Sequence, residues 1–176
     1  MRQTSRHFTV LTDAFLAEGG TVDKFIGDSV MVFWNAPHLQ PDHVERACRA
    51  ALAAKSASDA LNAQFAAEGL PPFTVRFGIH VGEAVVGNVG SAERMNYTVL
   101  GNSVNLAARL EGLNKQYGTT ILVSENVRNR VSGDFHLNSI GSVVAKGMTV
   151  EHRVYELVEV TPCENVPRAR NVEPAV

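Results

Sequence analysis

Thr21-Val22-Asp23-Lys24-Phe25-Ile26-Gly27-Asp28-Ser29-Val30-Met31-Val32-Phe33-Trp34 sets two apolar runs on either side of a Gly-Asp pair. Valine, isoleucine, phenylalanine and threonine fit the half-buried pleat of a sheet, and Gly-Asp makes a tight connection. The pattern predicts a β-hairpin, Thr21 to Ile26 paired with Ser29 to Trp34. Asn35-Ala36-Pro37 ends its second strand.

Working outward, Phe8, Leu11 and Phe15 recur at three and four residues and predict a helix over Ser5 to Ala17, stopped by Gly19-Gly20. Downstream, Pro41-Asp42 opens the longest helix, with Asp42 as its N-cap. Val44, Ala47, Cys48, Ala51, Ala54, Ser58, Leu61 and Phe65 form its stripe, whose alanines predict close packing against something flat. Gly69-Leu70-Pro71-Pro72 ends that helix. Phe73, Val75, Phe77, Ile79 and Val81 then alternate with Thr74, Arg76, Gly78 and His80, which predicts a strand with one buried face. After a glycine-punctuated stretch, Gly82 to Gly90, a strand is expected over Met95 to Leu100 and a helix from about Ser103 to Tyr117. Thr119 to Val123 reads as a short strand, and Ser124 as the cap of a brief helix. Phe135 to Val144 and His152 to Val158 predict a closing hairpin.

The order α-β-β-α-β-β-α-β-α-β-β implies one sheet with helices packed against it, an α+β or α/β sandwich. Residues 1–159 read as one domain and 160–176, where prolines and charges replace the apolar pattern, as a flexible tail. A composition 45 % hydrophobic and 19 % charged over 176 residues is that of a globular domain. The formal charge of −2 argues against a nucleic-acid-coating protein, which needs a basic face. No apolar run approaches the ~20 residues of a membrane-spanning helix. Cys48 and Cys163 stand far apart without metal-ligand spacing, which suggests a reduced, cytoplasmic setting.

Two segments invite a chemical reading. Asp28 follows a glycine at the hairpin turn, where a carboxylate can offer a hard oxygen to a divalent cation or can simply form the turn. Lys24, on the adjoining strand, reads in isolation as a solvated edge charge. Asn105 and Arg109 stand four apart on one helix face. An amide and a guanidinium so placed can bind a phosphate ester, or can form a polar surface with Glu111 pairing nearby. His80 is read as solvent-facing or at a subunit seam, Cys48 as core, and Gly87-Asn88-Val89-Gly90 as a turn rather than a phosphate cradle.

Taken together, these stretches resemble the catalytic domain of the class III nucleotide cyclases. Lys24-Phe25-Ile26-Gly27-Asp28 is similar to the family's hairpin motif, and Tyr97-Thr98-Val99-Leu100-Gly101-Asn102-Ser103-Val104-Asn105-Leu106-Ala107-Ala108-Arg109-Leu110-Glu111 to its second signature. The run from Phe77 to Gly90 resembles the strand-turn-strand between them, and Arg153-Val154-Tyr155-Glu156-Leu157 the closing strand. The likeness covers roughly Phe8 to Val158, and the Tyr97-Thr98 pair resembles the bacterial adenylate cyclase branch.

The resemblance implies an α+β fold with a ferredoxin-like βαββαβ core and helices on one sheet. It implies a head-to-tail homodimer with ATP sites at the interface and two Mg²⁺ or Mn²⁺ ions per complete site. Asp28 would be a metal ligand, Lys24 and Thr98 would read the adenine edge, and Asn105 would position the ribose. Arg109 would stabilise the transition-state phosphate, and Lys146 would reach the triphosphate, with Arg94 a second candidate for that task. The expected reaction is in-line attack of the ribose 3′ hydroxyl on the α-phosphorus, giving cyclic AMP and pyrophosphate.

One departure stands out. The family carries a second metal aspartate on a first strand ahead of the first helix, whereas this sequence begins inside that helix, and Asp13 lies outside any matching motif. The expectation is an N-terminally incomplete domain lacking the first strand, with weak metal binding, little turnover, marginal stability, and a rearranged sheet or a borrowed strand. Two alternatives follow: a cyclase-like module that only dimerises or senses nucleotide, and a different ferredoxin-like protein such as a diguanylate cyclase relative, whose Gly-Gly-Asp-Glu-Phe-type turn does not occur here, or an RNA binder. The acidic balance and the lack of a basic-aromatic sheet face disfavour the RNA binder.

Overall fold

A computed structural model describes residues 2–91, 93–144 and 151–161. Its elements run α1 (Arg2–Ala17), β1 (Thr21–Ile26), β2 (Ser29–Phe33), α2 (His43–Ala67), β3 (Phe77–Ile79), β4 (Val85–Gly90), β5 (Met95–Leu100), α3 (Asn102–Tyr117), β6 (Ile121–Ser124), α4 (Glu125–Arg128), β7 (Phe135–Val144) and β8 (Glu151–Val160). The fold is α+β, as the sequence implies.

The main sheet has four strands in the order β3-β6-β8-β7. β3 runs parallel to β6, and the other pairs are antiparallel. Every residue of β6 is buried, and its side chains alternate between two cores. Ile121 and Val123 join Leu11 and Phe15 of α1 and Val44, Cys48, Ala51 and Ala54 of α2. Leu122 faces the other way, toward Leu106 and Leu110 of α3 and Val143 and Val154 of the closing hairpin. Burial on both faces explains why β6 reads as an unbroken apolar run rather than an alternation.

The expectation of a single sheet needs correction, because β1-β2 and β4-β5 each form a separate two-stranded ladder. Val30, Val32 and Trp34 fasten the first hairpin to the main core by side-chain packing rather than by backbone pairing. The second hairpin joins the expected strand Met95–Leu100 to a segment whose own residues read as a turn and whose resemblance alone suggests a strand. Gly87 and Gly90 suggest a turn, yet Val85–Gly90 pairs along its full length with Met95–Leu100. The turn reading of Gly87-Asn88-Val89-Gly90 is therefore replaced by strand β4.

The alternating run from Phe73 to Val81 yields a strand only at Phe77–Ile79. Upstream, the Asn62 side chain donates to the Phe73 carbonyl and accepts from its N–H, both at 2.8 Å. At Phe73 the backbone is thus satisfied by α2 and has no need of a ladder. The expected caps also differ. Asp42 and Ser124 occupy N-cap positions without making a side-chain cap bond. Asp42 instead pairs with Arg46 at 2.7 Å, and Ser124 bonds to His80 at 2.7 Å. His80 is accordingly partly buried against β6 rather than solvent-facing.

Helix α3 lies directly on β3 because Gly78 has no side chain. A Cβ there would collide with the Ala107 carbonyl and the Glu111 amide of α3. Asn114, fully buried, then locks the pair by donating to the Phe77 carbonyl at 2.9 Å while accepting from Thr119 at 2.8 Å. This contact fixes where α3, and with it Asn105 and Arg109, stands relative to the sheet. No helix of the described residues is long and apolar enough to cross a membrane.

Candidate active site

The β1-β2 hairpin turns at Gly27-Asp28, with Gly27 at φ +63° and Ile26 opposite Ser29. The turn leaves Asp28 exposed at the tip. Further along β1 the register slips between Val22 and Lys24, a β-bulge with Asp23 as the extra residue. A bulge sets two residues against one and breaks the strict up-down alternation. Consecutive residues Asp23 and Lys24 consequently both reach Thr98 of β5.

The resulting triad is closely knit. Lys24 Nζ donates to Thr98 Oγ1 at 3.0 Å, and Thr98 Oγ1 donates to Asp23 Oδ2 at 2.5 Å. Lys24 Nζ also stands 3.5 Å from Asp23 Oδ1. The Asp23 side chain is 1 % exposed and that of Lys24 41 %, so the carboxylate is sunk beneath an ammonium that opens to solvent. Across the ladder Thr98 faces Gly87, where an added Cβ would meet nothing within 4 Å. Cross-strand partners share a face, so the glycine leaves room beside Thr98.

Gly101 joins β5 to α3 at φ +150°, a value favouring glycine, and its carbonyl accepts from the Val104 and Asn105 amides. Asn105 is exposed and Arg109 half-buried. Neither side chain bonds to another described residue, so the alternative of Glu111 pairing nearby is not seen, and amide and guanidinium remain free for a ligand. Of the sequence-predicted site residues, the structure brings Lys24 and Thr98 into direct contact, sets Asn105 and Arg109 one turn apart on the helix that follows Thr98, and holds Asp28 at the hairpin tip. Lys146 lies outside the described residues, and Arg94 is exposed.

Asp28 fits a divalent cation in kind, being a solvent-facing carboxylate with no partner among the described residues, and could supply one side-chain ligand. Among the described residues no group of three or more His, Cys, Asp and Glu side chains gathers as a metal cage. Around the site Phe25, Ile26, Val85, Met95 and Leu100 are exposed, an apolar concentration on the two hairpins.

Asp23 was missed by the sequence reading. Its signal was present, because aspartate is disfavoured inside a strand and needs a reason to be there. The reason is a partner 75 residues away, which no local pattern reveals.

Comparison with known proteins bears on the family and the overall fold. Residues 6–159 match the family model described as the adenylate and guanylate cyclase catalytic domain. The chain is 43 % identical over 165 residues to adenylate cyclase 1 of Rhizobium meliloti (strain 1021), covering 94 % of this chain and 25 % of that protein. It is 38 % identical over 146 residues to an adenylate cyclase of Anabaena cylindrica, covering 79 % and 28 % respectively. The chain thus spans about a quarter of the length of these curated relatives. Among solved structures, the adenylyl cyclase CyaB from P. aeruginosa superposes with a TM-score of 0.84 at 29 % identity, covering 92 % of this chain and 83 % of that one. The guanylyl cyclase Cya2 superposes with the same TM-score, 0.84, at 31 % identity, covering 93 % and 82 %.

Proposed function

The chain belongs to the adenylate and guanylate cyclase catalytic domain family, and from that premise we propose that it binds ATP and serves the formation of cyclic AMP. The overall fold does not choose the base, since an adenylyl and a guanylyl cyclase superpose on it equally well. The choice rests on one observation, the Lys24–Thr98 contact. Adenine presents a ring-nitrogen acceptor at N1 and an amine donor at position 6. An ammonium complements the first and a hydroxyl lone pair the second. Guanine reverses both groups, and an acidic residue at position 24 would suit it better.

In this reading Asn105 orients the ribose, and Arg109 offers a charged fork to the phosphate as negative charge builds in the transition state. Lys146 contributes to triphosphate binding. Asp28 holds Mg²⁺ or Mn²⁺, whose chemistry when bound is to acidify the 3′ hydroxyl and neutralise the leaving phosphates. What the chain's own groups supply is mainly positioning and charge complementarity. The exposed apolar residues of the hairpins would be covered by a second copy, forming a homodimer with the nucleotide at its seam. The setting proposed is cytoplasmic.

The test pairs calorimetric titration of ATP and GTP with an assay for cyclic AMP, in Mg²⁺ and in Mn²⁺. ATP is expected to bind more tightly than GTP, and product to vanish in Lys24→Ala, Asp28→Ala. Binding without product would favour the nucleotide-sensing module. Binding of neither nucleotide would overturn the reading.

A further inference from the structure

We infer that Asp23 is a specificity-determining positioning residue, which fixes the direction of the Thr98 hydroxyl and thereby makes the site reject a 6-oxo purine. The inference rests on the reading of Lys24 and Thr98 as the base-reading pair and goes one residue deeper.

A hydroxyl has one hydrogen and two lone pairs. Left to itself, Thr98 could donate to a purine oxygen or accept from a purine amine, and would discriminate poorly between them. In the structure its hydrogen is committed to Asp23 Oδ2 at 2.5 Å, an acceptor-only carboxylate. One lone pair takes the Lys24 ammonium at 3.0 Å. What remains is a single lone pair, able to accept and unable to donate. A 6-amino group satisfies it, whereas a 6-oxo group brings two oxygen acceptors together with no hydrogen between them. An unmet buried polar group is costly, which is how a site discriminates steeply.

Three observations indicate that this arrangement is built. Asp23 is the extra residue of the β1 bulge, the irregularity that brings it and Lys24 to the same partner. Its side chain is 1 % exposed, so the carboxylate serves the interior rather than solvent. The position facing Thr98 across the ladder is Gly87, with open space where a side chain would stand. Asp23 touches no part of the nucleotide in this scheme and acts through Thr98.

The key variant is Asp23→Asn, which keeps shape and removes charge. Lys24 beside Oδ1 holds the amide oxygen on its own side, so the amide nitrogen turns toward Thr98 and donates to it. The Thr98 hydrogen is then released toward the base. Affinities for ATP, GTP and inosine triphosphate are measured by calorimetry on the unaltered chain, Asp23→Asn, Thr98→Ala and Lys24→Ala. A loss of folded protein lowers the stoichiometry and leaves the affinity ratio between nucleotides unchanged, so the ratio reports polarity rather than stability.

The unaltered chain should reject inosine triphosphate about as strongly as GTP, because the conflicts lie at N1 and position 6, which the two bases share, and not at the 2-amino group. This arm needs no variant, and inosine triphosphate binding like ATP would overturn the inference. Asp23→Asn should lower the ATP to inosine triphosphate preference at least fivefold. If Thr98→Ala lowers that preference and Asp23→Asn leaves it intact, the role of Asp23 is overturned while the base-reading pair stands. If neither Thr98→Ala nor Lys24→Ala changes it, the base-reading pair itself fails, and the inference with it.

Discussion

The Lys24 ammonium donates to the Thr98 hydroxyl across 74 positions of sequence at 3.0 Å. β1 and β5 belong to separate ladders, and no backbone bond holds them in register. The alignment of the two hairpins depends on side chains, including this contact and the ring contact between Phe33 of β2 and Tyr97 of β5 at 6.0 Å.

The first prediction concerns the base. Lys24→Glu replaces the donor facing the purine N1 with an acceptor. ATP affinity is expected to fall tenfold or more, about 1.4 kcal/mol, and the ATP to GTP preference to move toward GTP. Competitive titration of both nucleotides measures it, and an unaltered preference would remove Lys24 from base reading.

Arg109 is predicted to act on the transition state. Its guanidinium makes no described internal bond, so its truncation should leave the fold's melting temperature nearly unchanged. Arg109→Ala should cost about 10²-fold in kcat, roughly 2.7 kcal/mol, with KM little altered. A raised KM at constant kcat would assign it to ground-state binding instead.

Gly78 should be intolerant of any side chain. A Cβ there meets the backbone of α3, which cannot rotate away as a side chain could. Gly78→Ala should destabilise the fold by about 2–3 kcal/mol. Asn114→Ala, which removes the buried bonds to the Phe77 carbonyl and from the Thr119 hydroxyl, should cost about 1–3 kcal/mol. Urea midpoints measure both, and a midpoint near that of the unaltered chain would mean that α3 does not rest on β3 as described.

Stability should fall on mild acidification. His7 is buried against Phe73, with ring centroids 4.4 Å apart and Nδ1 without a partner among the described residues. Burial lowers its pKa. His80 is lowered by burial first, then by His152 and Arg130. Both imidazoles therefore bind protons less readily in the fold than in the unfolded chain. Stability is fully present above the unfolded pKa of about 6.5 and declines as pH drops below it, down to the folded pKa. Denaturant midpoints between pH 7.5 and pH 5 should show this decline, and His7→Phe, which keeps the stack, should flatten it. An equal decline in that variant would exclude His7 as a source.

The resemblance carried by the hairpin and the α3 signature was legible from Lys24, Asp28, Thr98, Asn105 and Arg109 as they stand in the chain. Helices α1, α2 and α3 were legible because each has one face to bury, and a periodicity of three and four survives in the letters. Strand β4 was not legible from its own residues, since its glycines imitate a turn and its partner strand supplies the pairing, and only the strand-turn-strand resemblance of Phe77 to Gly90 pointed to it. Nor was the shortness of β3, because alternation records which side chains are buried and not where the backbone bonds go.

Sequence alone determined the helices and most of the strands, the family resemblance and the identity of the groups proposed to meet a nucleotide. These depend on residue type and near-neighbour spacing, which chain order preserves. Only the tertiary structure decided that the strands divide into a four-stranded sheet and two separate ladders, and that a bulge sinks Asp23 beneath Lys24 and Thr98. The physical reason is that a hydroxyl's direction is set by whichever partner holds its hydrogen. For Thr98 that partner is a residue distant in the chain, brought within reach by packing.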